Sequence, residues 1–137
     1  MNKIIVNSNA KVNIGLKVLK KRNDGYHNIR TIFQEIDLFD TISIEKNKNR
    51  FKFTTNVTWL GDNNLCVTAY KLMKRKFDIS KVSIDLKKNI SRGSGLGGGS
   101  SNAASIMKGI RELYSLNITD NELELLASTI GADVPFF

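Results

Sequence analysis

The sequence is poor in cysteine and proline, with one residue of each among 137. A single cysteine, Cys66, cannot form an intramolecular disulfide, and its neighbours Leu65 and Val67 predict a small buried side chain and not a reactive thiol. The only proline, Pro135, stands near the last residue, and no repeat or linker-like tract divides the chain. These absences indicate one domain over residues 1–137, a length that buries one apolar core.

Long apolar runs are also missing, since none approaches the roughly 18 residues that a bilayer span requires. The stretch Ile4-Ile5-Val6 is too short for the core of a signal peptide, so we expect a cytoplasmic protein with no membrane partner. Lys and Arg outnumber Asp and Glu by 21 to 13, which suits either a nucleic acid or polyanionic ligands such as nucleotides. Because the basic residues are scattered and their clusters lack aromatic neighbours, no nucleic-acid partner is expected.

Hydrophobic periodicity predicts an α+β fold with a strand-rich first half. Apolar and polar residues alternate over 11–19, so Val12 and Ile14 are expected to face the core while Lys11 and Asn13 point together away from it. Other strands are expected over 1–8, 29–37, 40–46, 50–57 and 81–88.

Three helices complete the predicted pattern, over 63–77, 101–115 and 120–130. Asp62 or Asn63 can cap the first helix. Thr119 and Glu122 have the spacing of a capping box before the third. In a dinucleotide-binding fold a parallel strand would follow the second helix. A third helix is predicted there instead, so the dinucleotide-binding fold is disfavoured.

A glycine-rich loop connects the last predicted strand to the second helix, and it is written Gly93-Ser94-Gly95-Leu96-Gly97-Gly98-Gly99-Ser100-Ser101. Backbone N–H groups of such a loop can wrap an anion while the helix N-terminus adds a favourable dipole, so phosphate is the expected ligand. Ser100 and Ser101 can add hydroxyl contacts to phosphate, and Ser100 is a candidate ligand of Mg²⁺. We expect Gly98→Val to block the backbone approach and leave the fold intact. A flexible glycine hinge is the alternative interpretation.

Two common phosphate loops fit less well. The P-loop ends in Gly-Lys-Ser/Thr, a triplet that this sequence does not contain. The spacing Gly93-x-Gly95-x-x-Gly98 matches the dinucleotide fingerprint formally, but the match is weak without the flanking strands.

Residues 95–104 closely resemble the nucleotide loop of the GHMP kinases, the superfamily of galactokinase, homoserine kinase and mevalonate kinase. Four other stretches, 11–16, 24–27, 31–34 and 131–137, resemble the branch of that superfamily that phosphorylates 4-diphosphocytidyl-2-C-methyl-D-erythritol. The resemblance implies the N-terminal domain of a GHMP kinase, with a ribosomal-protein-type β-α fold, a mixed sheet and helices packed on one face.

The same resemblance implies a reaction. The γ-phosphate of ATP, bound with Mg²⁺, would pass to the 2-hydroxyl of the cytidine diphosphate-linked methylerythritol, a step towards isoprenoid precursors by the non-mevalonate route. Asp133 would be the base, and Lys11 beside it would keep the carboxylate ionised and attract the transferring phosphoryl group.

Further roles also come from the resemblance. His27 would hydrogen bond to the cytosine edge and Tyr26 would stack on the base, while Asn64 would lie near the adenine. Asn13, which shares a face with Lys11, is a further candidate for substrate binding. Phe33 either lines the substrate pocket or packs in the core.

The sequence departs from the family in two ways. Ser91 stands where the family usually has proline, which predicts a looser entry to the glycine loop. The family also has a second domain after the 131–137 motif, so we expect an N-terminal portion that binds nucleotide weakly and turns over poorly. Two alternatives stay open: a GHMP kinase with another alcohol substrate, and a basic nucleic-acid module.

Overall fold

The computed structural model describes the backbone of residues 1–23 and 27–137, and all their side chains except those of 16–18 and 27–31. Four strands and three helices follow in the order β1, β2, β3, α1, β4, α2, α3, and a short 3₁₀ turn comes last. The strands are β1 Lys3–Lys21, β2 His27–Lys46, β3 Lys52–Thr55 and β4 Val82–Lys87. The helices are α1 Leu65–Lys76, α2 Gly98–Leu113 and α3 Asp120–Ser128, and the 3₁₀ turn is Val134–Phe136.

The strands form one mixed sheet in the order β1-β2-β4-β3. The β1–β2 and β2–β4 pairs are antiparallel, whereas β3 runs parallel to β4. One face of the sheet is apolar, because Ile42 and Ile44 of β2 and the alternate residues Val82, Ile84 and Leu86 of β4 are buried. Helices α1 and α2 pack over this face and close the core. The predicted α+β class, mixed sheet and one-sided helical layer are confirmed.

The first two strands are longer than predicted, because irregularities in pairing replace the expected breaks. The register between β1 and β2 shifts between Asn9 and Lys11, and again between Ile14 and Leu16. Between Asn9 and Lys11 the extra residues lie in β2, whose partner residue changes from Phe39 to Glu35. Lys11 is buried at 5% exposure because its side chain lies against the glycine loop, and Ile14 is 51% exposed. The prediction that Ile14 faces the core is therefore wrong, whereas Lys11 lies outside the main core cluster of the described residues and bonds to Asn13 as its predicted neighbour.

The helix boundaries also differ from the prediction. The N-cap of α1 is Asn64, whose side-chain oxygen accepts a hydrogen bond from the Val67 amide. The predicted caps, Asp62 and Asn63, were therefore wrong. Helix α2 begins at Gly98, three residues earlier than predicted, because the glycines themselves form its first turn. The capping box of Thr119 and Glu122 before α3 is confirmed.

Cys66 lies in α1 at 3% exposure, so the prediction of a buried thiol is confirmed. Burial raises the pKa of the Cys66 thiol to about 12. The thiol is consequently protonated and a poor nucleophile at neutral pH. In the part of the chain that the structure describes, no helix has the length and apolar character to cross a bilayer.

Candidate functional site

A cavity of about 380 Å³ opens where the glycine loop faces the start of α1. The whole stretch from Ser91 to Gly99 lines one side of it. The opposite wall comes from the segment before α1 and from the first residues of that helix, and two side chains beneath the loop form the floor. The wall is Trp59, Leu60, Asn63, Asn64, Leu65 and Cys66, and the floor is Lys88 and Asn102.

The loop adopts a backbone conformation that depends on glycine. Gly93, Gly95 and Gly97 have φ of +66°, +75° and +71°, a region that residues with a Cβ rarely adopt. Gly97 is the N-cap of α2, and no side chain caps the helix or places an acid in its first turn. The first N–H groups of this 16-residue helix therefore face an anion-binding position without a competing side-chain acceptor.

Lys11 connects strand β1 to this loop. Its backbone N–H donates to the Leu96 carbonyl at 2.8 Å, and its ammonium donates to the Gly95 carbonyl at 3.1 Å and to Asn13 Oδ1 at 2.7 Å. No carboxylate lies within ion-pair distance of Lys11 among the described residues. Lys11 is thus a buried cation whose hydrogen-bond acceptors are all neutral.

Three aromatic rings link Lys11 to the end of the chain. The ammonium lies 4.7 Å from the centroid of the Phe33 ring, and this ring meets Phe136 edge-on at 5.1 Å. Phe136 in turn packs against Phe137 at 5.0 Å. Phe33 therefore stands between Lys11 and the terminal turn, outside the main core cluster of the described residues. Phe33 stays a candidate for the substrate pocket.

Asp133 precedes the terminal turn and is half-buried. Its carbonyl accepts from the Phe136 amide at 3.2 Å, whereas its carboxylate makes no hydrogen bond or ion pair with any described residue. The implied position of Asp133 beside Lys11 is not an ion pair here. The two residues belong to neighbouring segments that meet through the aromatic rings, and the Asp133 carboxylate is left available for another group.

Gly97 and Gly98 are closely packed, so a Cβ at either position would press on neighbouring side chains. A Cβ on Gly97 would lie 3.0 Å from Phe137 Cζ and 3.1 Å from Lys11 Cε. A Cβ on Gly98 would lie 2.9 Å from Ile90 Cγ2, and Ile90 is buried. A valine at position 98 would therefore press on a core side chain, so we expect Gly98→Val to lower the free energy of unfolding by about 1–3 kcal/mol as well as to block the backbone approach.

The two serines that were predicted to contact phosphate lie in different surroundings. Ser100 is half-buried in the first turn of α2, whereas Ser101 is 1% exposed. The Ser101 hydroxyl accepts a hydrogen bond from the Ser8 hydroxyl at 2.9 Å. Neither serine lines the cavity. This arrangement supports a role for Ser101 beneath the loop and does not support a direct contact between its hydroxyl and a phosphate.

Trp59 and Arg92 were not predicted from the sequence. Both line the cavity, and the Arg92 guanidinium lies 5.8 Å from the centroid of the Trp59 ring. Trp59 is the only tryptophan of the chain. Its place outside a periodic segment was a usable signal, because a large aromatic residue in a connecting segment is often a binding residue.

The remaining predicted site residues are only partly described. Asn64 lines the cavity while its amide caps α1 and donates to the Gly61 carbonyl. Asn13 is exposed and holds the Lys11 ammonium. Tyr26 and the side chain of His27 lie outside the described residues. Among the side chains that the structure does describe, no cluster of three His, Cys, Asp or Glu residues offers a metal site.

Comparison with known proteins gives a consistent result. The model of the GHMP kinases N terminal domain matches residues 64–137. A 4-diphosphocytidyl-2-C-methyl-D-erythritol kinase of Porphyromonas gingivalis is 45% identical, with 98% of this chain and 50% of the relative aligned. A kinase of the same name from Caldicellulosiruptor saccharolyticus is 44% identical over 97% of this chain and 47% of its own length.

A solved structure is similar over nearly the whole chain. The crystal structure of a 4-(cytidine 5'-diphospho)-2C-methyl-D-erythritol kinase superposes with a TM-score of 0.83 at 37% identity. The alignment covers 98% of this chain and 48% of that protein. The chain spans about half the length of the curated relatives it matches.

Proposed function

This chain belongs to the GHMP kinase family, whose N-terminal domain it matches, and from that premise we propose that it binds ATP and transfers the γ-phosphate to an alcohol. The acceptor that we propose is 4-diphosphocytidyl-2-C-methyl-D-erythritol, the molecule after which its relatives are named. Residues 1–137 would supply the ATP-binding domain of this cytoplasmic enzyme of isoprenoid precursor synthesis.

The proposal rests on one observation: the buried Lys11 ammonium and the uncapped backbone N–H groups at the start of α2 lie at the same glycine loop. Lys11 is 5% exposed, and its ammonium touches only neutral acceptors among the described residues. A buried charge without a counter-charge is unfavourable, so an anion next to it gains a favourable interaction that water does not offer. The uncapped start of α2 supplies N–H donors on the same loop. Together these groups suit the phosphates of a nucleotide.

The wall of the cavity suits the base of that nucleotide. Trp59 and Leu60 offer apolar surface, and Asn63 and Asn64 offer amide groups beside it. Base stacking on an aromatic ring contributes about 1–3 kcal/mol. Arg92 adds a positive charge at the mouth, next to the ring of Trp59. We assign this wall to the adenine and the loop to the phosphates.

A magnesium ion would be held mainly by the phosphates, because the described residues offer no acidic cluster. Mg²⁺ commonly keeps several waters and takes only one or two protein ligands next to a nucleotide. Ser100, half-buried in the first turn of α2 and next to the cavity-lining Gly99, is the protein ligand that we propose. When bound, the ion neutralises charge on the phosphates.

Asp133 is the proposed base for the acceptor hydroxyl. Its carboxylate has no partner among the described residues, so it is available to accept a proton from the alcohol. Lys11 lies across the aromatic rings from it and would stabilise the negative charge of the phosphoryl group in transit. Asn13, Phe33, Tyr26 and His27 are the residues that we propose for the acceptor.

The substitution Lys11→Met tests this proposal because it removes the charge while keeping the aliphatic contact with the loop. The change also deletes the hydrogen bonds to the Gly95 carbonyl and to Asn13, each worth about 0.5–1.5 kcal/mol, so the free energy of unfolding of the ligand-free chain should fall modestly. Affinity for MgATP should fall about tenfold or more, since a charge-assisted hydrogen bond contributes about 1.5–3 kcal/mol.

Both quantities can be measured on the same samples, by urea unfolding and by isothermal titration calorimetry. Lys52→Met is the matched control, because Lys52 is exposed on β3 and lines the open face of the sheet. The control should change neither quantity appreciably. Unchanged MgATP affinity in a folded Lys11→Met chain would remove Lys11 from the nucleotide site.

A further inference from the structure

A second buried charge lies beneath the glycine loop, and it belongs to Asp40. This carboxylate is completely buried near the middle of β2 and accepts four hydrogen bonds. Its Oδ1 accepts from the backbone N–H groups of Asn89 at 2.6 Å and Ile90 at 2.9 Å. Its Oδ2 accepts from Lys88 Nζ at 2.6 Å and from Asn102 Nδ2 at 2.9 Å.

These four donors flank the glycine loop in the sequence. Residues 88–90 precede the loop by two positions, and Asn102 follows the two serines that end it. The Asp40 carboxylate therefore bonds to both ends of the loop. One end is the segment that follows β4, and the other is the first turns of α2. Lys88 also donates to Asn102 Oδ1 at 3.0 Å, which joins the two ends directly.

The network continues into β1 and is fully bonded. Asn102 Nδ2 donates to Ser8 Oγ at 2.8 Å, and the Ser8 hydroxyl donates to Ser101 Oγ at 2.9 Å. Buried polar networks in which every member has a partner specify one arrangement of the elements that they join. Here those elements are β1, β2, the end of β4 and α2.

The atoms held by Asp40 also touch the loop at Gly98. Lys88 Nζ lies 3.1 Å, and Ile90 Cγ2 lies 2.9 Å, from the position that a Cβ on Gly98 would occupy. A shift of residues 88–90 would therefore move the first residue of α2, whose N–H groups face the cavity. The shape of the glycine loop therefore depends on the contacts that Asp40 makes.

We propose that Asp40 is a positioning residue that holds the glycine loop in its nucleotide-binding shape. This inference rests on the proposed function for its consequence, although the holding of the loop can be measured without any nucleotide. Asp40 touches neither the cavity surface nor a ligand position, since it does not line the cavity. Its effect is exerted through Lys88, Asn102 and the two backbone amides.

The test compares Asp40→Asn with Asp85→Asn in this chain. Asp85 lies on β4 and faces the open side of the sheet, where it accepts from the Thr54 hydroxyl at 2.7 Å. Asparagine at position 40 cannot accept from Lys88 and Asn102 as the carboxylate does, and it leaves the lysine without its counter-charge. Amide hydrogen exchange without nucleotide and equilibrium dialysis with labelled MgATP provide the two readouts.

We expect Asp40→Asn to accelerate exchange at the amides of 89–101 by at least about tenfold while the amides of α3 keep their rates. We also expect the Kd for MgATP to rise by at least about tenfold, in a chain whose circular dichroism is unchanged. Asp85→Asn should alter neither. Loop exchange and Kd equal to those of the unsubstituted chain would overturn the proposal. So would exchange that rises equally in the loop and in α3, because that is the result of a purely structural role.

Failure of the proposed function has a different signature. If the unsubstituted chain binds no MgATP, the kinase assignment is wrong, and the exchange rates alone then decide whether Asp40 holds the loop. If Asp40→Asn does not fold, Asn102→Ala replaces it, because that change keeps the Asp40–Lys88 pair and both backbone contacts. Faster exchange confined to 98–101 in Asn102→Ala supports the proposal, and unchanged exchange there overturns it.

Discussion

Replacing Asp133 by asparagine is expected to slow phosphoryl transfer by roughly 10²- to 10⁴-fold, the contribution that a positioned general base usually makes. Asparagine has nearly the same shape but cannot accept the proton of the acceptor hydroxyl. Asp133 neither lines the nucleotide cavity nor bonds to the glycine loop, unlike Lys11, so the affinity for MgATP should not change. The expected result is therefore a loss of rate without a loss of nucleotide binding.

The rate is best followed as transfer of labelled γ-phosphate from ATP to 4-diphosphocytidyl-2-C-methyl-D-erythritol. Single-turnover conditions, with the protein in excess over the acceptor, detect slow transfer. Asp78→Asn is the control, because Asp78 is an exposed carboxylate between α1 and β4. Equal rates for Asp133→Asn and the control would show that Asp133 is not the base.

A second large effect is expected for Gly97→Ala. The residue has φ of +71°, where a Cβ costs about 1–2 kcal/mol. That Cβ would also press on Phe137 at 3.0 Å and on Lys11 at 3.1 Å, and such overpacking costs about 1–3 kcal/mol. We expect the free energy of unfolding to fall by about 2–5 kcal/mol. Affinity for MgATP should fall by about 100-fold or more, because the N-cap of α2 and the Lys11 ammonium are both displaced.

Gly99→Ala separates this effect from a general intolerance of the loop to side chains. Gly99 lies in the first turn of α2, and a Cβ there would meet only Leu65 Cδ1, at 3.5 Å. Alanine at this position should raise the free energy of unfolding by about 0.5–1 kcal/mol, the usual gain in a helix. Urea unfolding of the two variants gives the comparison. Equal losses of stability would show that the backbone conformation of Gly97 is not the cause.

The sequence was informative where a local rule decides the structure. The alternation in β4 and the capping box at Thr119 depend on neighbouring residues, and both were found where they were predicted. The glycine loop leads into α2 as predicted, although the helix begins within it, at Gly98. The burial of Cys66 followed from its apolar neighbours in the same way. Family resemblance added the fold of the whole domain, which the comparison with solved structures supports.

Features that depend on pairing between distant segments were missed. The burial of Lys11 depends on the glycine loop, since its Gly95 contact joins residues 84 positions apart, and the alternation of residues 11–19 does not reveal that contact. The contact of Asp40 with Lys88 joins residues 48 positions apart, so it requires the register of β2 against β4. Nothing local marks either residue, because an isolated Asp or Lys in a strand is ordinarily exposed.

A fluorescence titration with MgATP tests the central claim most directly. That claim is that the glycine loop and the cavity beside it bind ATP. Trp59 lines the cavity and is the only tryptophan of the chain, so its emission reports on that wall alone. We predict a saturable change in Trp59 emission, together with a melting temperature that rises with nucleotide concentration. A folded chain whose emission and melting temperature stay constant across the titration would contradict the account.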